Sequence, residues 1–316
     1  MTQTGQKKRR GVRVDRYLFL FVSVLLIGLF IKNAAEASNY VRGALALCAE
    51  TVVPSIFPCT VASGIFVALG GGGFLGGALG RPMRFLFGLS GNGAAVLLLG
   101  WFCGFPVGAV TGATLLRRGE LERGELDSLL LFSGIPSPAF VISAVGENLL
   151  GNRRLGLLLW LSLIVTSMLI GIFRHVFIRS HAESHPVTVS ESSPAAAIGE
   201  ALRSSGISML NLCANIVFFS VLTKLLLALC SPILRDPAVC ALFCGFFELS
   251  GGCAAASALP SPLSAVICGF ILGWSGLGVH FQIISAASKL NRLPLYFAVK
   301  LTQGIACASL MLAFTS

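Results

Sequence analysis

Phe102-Cys103-Gly104-Phe105 recurs in this chain as Phe243-Cys244-Gly245-Phe246. The first copy runs into Pro106-Val107-Gly108, the second into Phe247-Glu248-Leu249-Ser250-Gly251-Gly252. Both lie inside long apolar segments. A helix breaker there frees backbone N–H and C=O groups that hydrocarbon cannot pair. A carboxylate there is costly unless paired or protonated. What satisfies these groups decides the fold.

The surrounding composition is that of a membrane protein. Of 316 residues, 55% are hydrophobic and 11% charged, with a mean hydropathy of +0.86. A soluble domain carries about 25% charged residues, so this chain cannot cover a water-facing surface. The net charge is +10, half of it from the tail, where Lys7, Lys8, Arg9, Arg10, Arg13 and Arg16 oppose only Asp15. A basic cluster before an apolar segment reads as a topology signal or an anionic-lipid contact. Nucleic-acid binding is not expected, since no basic stripe recurs on a polar domain. The ten cysteines lie nearly all within apolar runs and form no Cys-x-x-Cys pair. They read as small buried side chains rather than metal ligands.

Charge-free runs mark the membrane segments: Thr51–Gly80, Phe85–Leu116, Leu129–Gly146, Leu155–Phe173, Ser204–Thr223 and Leu249–Ser288. With Tyr17–Ile31 and a last segment from Pro294 interrupted by Lys300, eight or nine segments are expected, some of them re-entrant. Ala35-Glu36-Ala37 has the small residues of a signal-peptidase site, but a multi-spanning protein needs no removable signal. The positive-inside rule places the tail in the cytoplasm, together with Arg81/Arg84, Arg153/Arg154 and Lys289/Arg292 if every segment crosses. The loop Arg117–Asp127 then falls outside although it carries Arg117, Arg118 and Arg123. Broken flanking segments that do not cross fully would remove that conflict. Residues 179–199 read as a solvated linker, with His181 and His185 expected to be free of metal.

The FCGF copies stand 141 positions apart, 102 to 243. Residues 132–144 align without gaps to 274–286, identical at five of 13 positions. Asn152-Arg153 matches Asn291-Arg292, and Pro82-Met-Arg84 matches Pro232-Ile-Leu-Arg235, in the same order. These matches imply two halves joined by the linker. Duplicated membrane halves are typical of secondary transporters, whose binding sites lie between the halves and are built by discontinuous helices. The breaks then face one central polar site. Close Gly packing is the competing explanation, and Gly104, Gly108 and Gly112 have its four-residue spacing. Parallel and inverted halves both remain open; one re-entrant segment between the copies makes them inverted.

Glu248 is the one acid well inside an apolar run, with Lys224 and Lys300 as candidate partners. His280 and Gln282 follow the Ser275-Gly276 break. Asn211 and Asn215 share one helix face. With Ser133 and Ser137 these residues would line a cavity with amide, hydroxyl and imidazole groups; interhelical hydrogen bonding is the alternative role. There is no nucleophile elbow, P-loop or His-Glu-x-x-His motif, so no enzyme is expected.

These residues carry a resemblance to a known family. Ala44–Cys48, Val53–Pro58, Leu79–Arg84 and Gly104–Gly108 resemble the nucleoside-recognition or Gate domain, and more specifically the YlbJ-type sporulation integral membrane proteins. Ser133–Pro138, Glu248–Gly252 and Gly276–Gln282 are similar to further elements of that family, although Pro136 and Ser137 depart from the asparagine-rich run that precedes its Ser-Pro. The resemblance covers about residues 40–310. It implies a polytopic protein needed for endospore formation, with a small-molecule transport role and no assigned substrate.

The expected fold is therefore all-α: a polytopic helical membrane protein with two repeated halves and broken or re-entrant helices. Residues 1–42 are read as a basic cytoplasmic tail and first membrane segment, 43–178 as the first Gate-like repeat, 179–199 as the polar linker and 200–316 as the second repeat. The candidate substrate-binding residues are Glu248, His280, Gln282, Pro106, Gly108, Ser133, Ser137, Ser250, Asn211 and Asn215, with no cofactor and no metal. The expected partners are the lipid bilayer of the cell membrane and a small solute. A non-transporting scaffold for spore-assembly proteins is the alternative. Oligomeric state is left open.

Overall fold

The computed structural model describes residues 3–177, 193–287 and 290–316. The histidine pair of the linker and Lys289 lie outside them. Among the described residues every regular element is helical. Glycines cut the apolar runs into shorter pieces than the charges alone would.

α1 (Gln3–Lys32) turns by 94° into α2 (Ala34–Leu47). A π-helical turn, Cys48–Val52, carries α2 on into α3 (Val53–Ala68). At Gly70, with φ +86°, the chain bends by 83° into α4 (Gly71–Phe87). Next come α5 (Gly93–Phe102), α6 (Val107–Arg117) and α7 (Arg123–Leu129). Residues 130–137 are unwound, and a π helix, Ala139–Leu149, leads to α8 (Arg153–Phe177). The second half comprises α9 (Pro194–Cys230), α10 (Pro237–Phe247), α11 (Leu249–Ser257), α12 (Leu263–Trp274), α13 (Leu277–Ala286) and α14 (Leu293–Thr315). α9 takes in the last residues of the expected linker; Pro194 occupies its first turn, where a missing N–H is harmless.

Both FCGF copies stand at the tips of helical hairpins. α5 and α6 run antiparallel, with Gly108 against Gly100 and Gly112 against Val96. A Cβ on Gly108 would lie 2.8 Å from the Gly100 Cα, so the close approach needs glycine. α10 and α11 repeat this with Gly252 packed on the Gly245 backbone. The four helices have 9–11 residues, about 15 Å each, against about 30 Å of hydrocarbon. The hairpins therefore enter the apolar layer and return. This lowers the expected eight or nine segments. Among the described residues four helices are long and apolar enough to cross, α8, α9, α12–α13 and α14, and up to six if each bent pair counts. The charge-free run Phe85–Leu116 is largely a hairpin.

The two halves are inverted. α8 and α14 come after the matching Asn-Arg pairs, and they pack antiparallel: Ser162 meets Met311 at 3.8 Å and Thr166 meets Cys307 at 3.3 Å. α2–α3 likewise runs antiparallel along α9, with Ala37 beside Val221 and Leu225 and Gly64 on Ala201. The first hairpin opens at one face, where Asn92 Nδ2 donates to Glu120 O at 2.9 Å. Arg123 Nη1 to Ala287 O (2.9 Å) and Asn291 Nδ2 to Asp127 (2.6 Å) bring the end of α13 to that same face. α12 begins at the opposite face, where the second hairpin opens.

This arrangement also resolves the charge conflict. The returning hairpin puts the loop Arg117–Asp127 on the face of Arg84 and Arg292. Arg174 Nη1 to Phe87 O at 3.2 Å places the end of α8 there too. Arg153 and Arg154, at the start of α8, therefore lie on the opposite face, contrary to the expectation from counting every segment as a crossing.

Candidate functional site

Each hairpin tip docks on the broken helix of its own half. At the first tip Gly104 turns with φ +87°, and a Cβ there would approach Ser137 N to 3.0 Å. Phe105 N donates to Ile135 O at 3.1 Å and Val107 N to Gly104 O at 3.1 Å, so backbone satisfies backbone. The peptide Phe105-Pro106 is cis. At the second tip Gly276, φ +80°, lies against Glu248 and Leu249. Here the freed amides have a side-chain partner: Glu248 Oε1 accepts from Ser250 N at 2.8 Å and Oε2 from Gly251 N at 2.6 Å. Glu248 is the N-cap of α11, a position that favours a carboxylate through direct hydrogen bonds and the positive helix end.

A tryptophan braces each arrangement. The Trp101 indole donates to Ser167 Oγ at 2.9 Å and to Phe132 O at 3.3 Å, and Ser167 Oγ itself donates to Phe132 O. The Trp274 indole donates to Phe246 O at 3.0 Å.

Between the halves lies a cavity of about 290 Å³. Its walls are the first tip (Cys103–Pro106), the break residues Pro136 and Ser137, the second tip (Glu248–Ser250), and parts of α9 and α13. A second cavity of about 330 Å³ shares the wall residues Pro106, Leu212, Asn215 and Gln282. It holds Thr111, Arg117, Arg118, Glu200 and Arg203, and so extends towards the face where the first hairpin opens. Arg203 and Glu200 pair at 3.0 Å.

The ten candidate residues divide three ways. Glu248, Gln282, Pro106, Ser137, Ser250 and Asn215 line the first cavity. Gln282 is buried, yet its Oε1 has no partner. Asn215 Nδ2 donates to Asn211 O at 2.8 Å, and Asn211 lines only the second cavity. Gly108, Ser133 and His280 line neither cavity. Gly108 is spent on helix packing, and Ser133 is fully buried with its carbonyl against Gly100. His280 is also fully buried, its Nδ1 3.0 Å from the Tyr296 hydroxyl and its ring 4.6 Å from Trp274 and 5.2 Å from Phe297. On α13, Gln282 and His280 are two positions apart and so point to different sides.

Neither lysine pairs with Glu248. Lys224 Nζ lies 5.1 Å over the Tyr40 ring, and Lys300 Nζ donates to Gly134 O and Gln303 Oε1. Sequence reasoning passed over Asn148 and Phe219 in the cavity wall; nothing local marks either one. Lys300 was visible as the lone cation of the last segment, but its partner was not. The ten cysteines are free thiols, and among the described residues no three His, Cys, Asp or Glu side chains cluster as metal ligands.

No family model matches this chain, and no solved structure matches it. It is similar to the sporulation integral membrane protein YlbJ of Bacillus subtilis (strain 168), 27% identical over 327 residues, which covers 92% of this chain and 79% of that protein. The resemblance to YlbJ-type proteins read from the motifs is thereby borne out, and the chain is a polytopic all-α membrane protein.

Proposed function

We propose that this chain is a transporter-like membrane protein with a role in sporulation, which binds a small solute between its two inverted halves. One observation carries the reading: residues 103–106, 136–137, 248–250 and 282, from both halves, wall a single cavity. Inverted repeats with discontinuous helices bind their solutes in this position. Non-helical backbone at membrane depth is tolerated where protein or a polar cavity pairs it. The facing hairpins also agree with the Gate-like architecture that the motifs imply. The relative's name supports the sporulation role.

The walls combine apolar surface with one carboxylate, the Gln282 and Asn215 amides and the Ser137 and Ser250 hydroxyls. Such a site orients a small molecule through a few polar contacts. The thin shared wall of Pro106, Leu212, Asn215 and Gln282 separates it from the arginine-bearing cavity, which serves as its vestibule. By the positive-inside rule the face carrying Arg84, Arg117, Arg118 and Arg123 is cytoplasmic, in the cell membrane, and the basic tail is placed there as well.

The test is Gln282→Leu alone and with Glu248→Gln in a spore-forming host. Reduced spore yield is expected while the protein stays in the membrane at its normal level. Normal yield from the double variant removes the reading. Small-molecule content of spores with and without the gene then separates a specific solute deficit, which supports transport, from normal contents with misplaced assembly proteins, which refutes it.

A further inference from the structure

The first break holds a buried cationic side chain away from the cavity wall. Lys300 on α14 is fully buried, and its Nζ donates to Gly134 O at 2.6 Å and to Gln303 Oε1 at 3.0 Å. Gly134 lies in the unwound residues 130–137 of the other half. One side chain thus fastens the second half to a freed carbonyl of the first. The matching break closes without a cation, since the Gly276 carbonyl accepts from His280 N at 3.3 Å. The pseudo-symmetry of the halves fails at this point.

Among the described residues no carboxylate lies within ion-pair distance of Lys300. The titratable groups that surround it are the His280 imidazole of α13, the Tyr296 hydroxyl one turn earlier on α14 and the Cys307 thiol two turns later. α8 presents Thr166 to Cys307. None of these side chains is ordinarily anionic at neutral pH. An ionisable group inside a membrane protein without a counter-charge points to function.

The donor count is informative. A neutral amine has two N–H donors and a lone pair; an ammonium has three donors. Two acceptors are in place. Ser133, next to Gly134, keeps a buried Oγ without a partner, and a hydroxyl oxygen can accept an N–H. The surroundings therefore satisfy both N–H donors of the amine and keep one further acceptor beside the break for the ammonium.

We propose that Lys300 carries the coupling proton of this protein, and that its protonation sets how firmly α14 holds the break of the opposite half. Deprotonation breaks one Nζ–H bond, leaves the electron pair on nitrogen and passes the proton to water; the reverse step restores the third donor. The coupled ion is a proton rather than a metal cation. This deepens the transport reading and rests on it.

The experiment heats the full chain in detergent across a neutral-to-alkaline pH series as wild type, Lys300→Met and Lys300→Arg. The Met variant has no proton to exchange, and the Arg variant keeps its charge throughout. The Tm difference between wild type and Lys300→Met is expected to change by about 2–4 °C across the series, while the two variants stay parallel to each other. A wild-type curve parallel to Lys300→Met throughout overturns the proposal. A measurement on wild type alone covers the case in which neither variant folds: sodium chloride is compared with choline chloride, and a sodium-specific rise in Tm overturns the proposal, equal Tm being expected. In the spore-forming host both variants are expected to lose spore yield at normal membrane levels; full yield from either one overturns it. The heating profiles need neither solute nor spores. Their failure removes proton coupling and leaves the cavity reading standing, whereas normal spores from the Gln282 and Glu248 variants remove the cavity reading and the coupling role that rests on it, even where the heating profiles show Lys300 titrating.

Discussion

At the tip of the α5–α6 hairpin the freed amides are met by carbonyls: Phe105 N by Ile135 O, Val107 N by Gly104 O. At the tip of α10–α11 the same task falls to a side chain, with Ser250 N and Gly251 N held by the Glu248 carboxylate. The two tips begin from the same four residues and share a glycine-lined hairpin. They differ in the residues just past that shared motif. Pro106 in the first copy removes one donor outright, since proline has no N–H. The second copy keeps its donors and brings an acid to meet them. A carboxylate at membrane depth can thus be a cap and a cavity wall at once. Its negative charge is set against two amides and a helix N-terminus, so it needs no lysine.

Four substitutions break or sharpen this contrast, and a fifth leaves it untouched. The largest effect is expected from Gly252→Val, because even a Cβ meets the Gly245 backbone. A loss at the upper end of the about 1–3 kcal/mol range for overpacking is expected, read as a fall in Tm and in monodisperse protein on gel filtration. Glu248→Ala comes next. It strips both caps from the second tip and is expected to cost about 2 kcal/mol by thermal unfolding. Gly104→Ala tests the backbone solution directly: at φ +87° an L side chain is strained, with an expected loss of about 1–2 kcal/mol. Ser137→Ala at the first tip removes only a 3.3 Å bond from Phe140 N and is expected to cost clearly less than Glu248→Ala. Equal losses at Glu248 and Ser137 would dissolve the contrast between a side-chain cap and a backbone cap. Asn215→Ala, whose bond to Asn211 is local and exposed, is expected to stay within about 0.5 kcal/mol in stability, so that any change in spore yield reports on the cavity.

Much of the architecture was legible in the residue order. The two FCGF copies, the Ser-Gly pairs at 133–134 and 275–276 and the Asn-Arg pairs marked equivalent positions, and the structure puts a hairpin tip, an unwound break and a long-helix start at them. Glycine and proline act locally, so their effect can be read from neighbours in the chain. Six of the ten candidate residues do meet in one cavity. The others were misplaced for a geometric reason. His280 and Gln282 both follow the second break, but two positions on a helix turn a side chain by about 200°, from the cavity wall into an aromatic box. Ser133 sits four positions before Ser137 in an unwound stretch where no helical period applies. The number of crossings was overestimated because a run free of charge gives no sign of where it turns back.

Composition and residue order were enough to establish a bilayer-embedded helical protein and the sites of its breaks. Those properties depend on hydrophobic burial and on backbone torsion, which act within a few residues of each position. The inversion of the halves, the pairing of Glu248 with amides instead of a lysine, and the hold of Lys300 on a carbonyl 166 positions away came only with the folded chain. Each depends on which distant segment arrives beside which. A buried polar group must take whatever partner the packing brings to it, and nothing in its own neighbourhood of sequence names that partner.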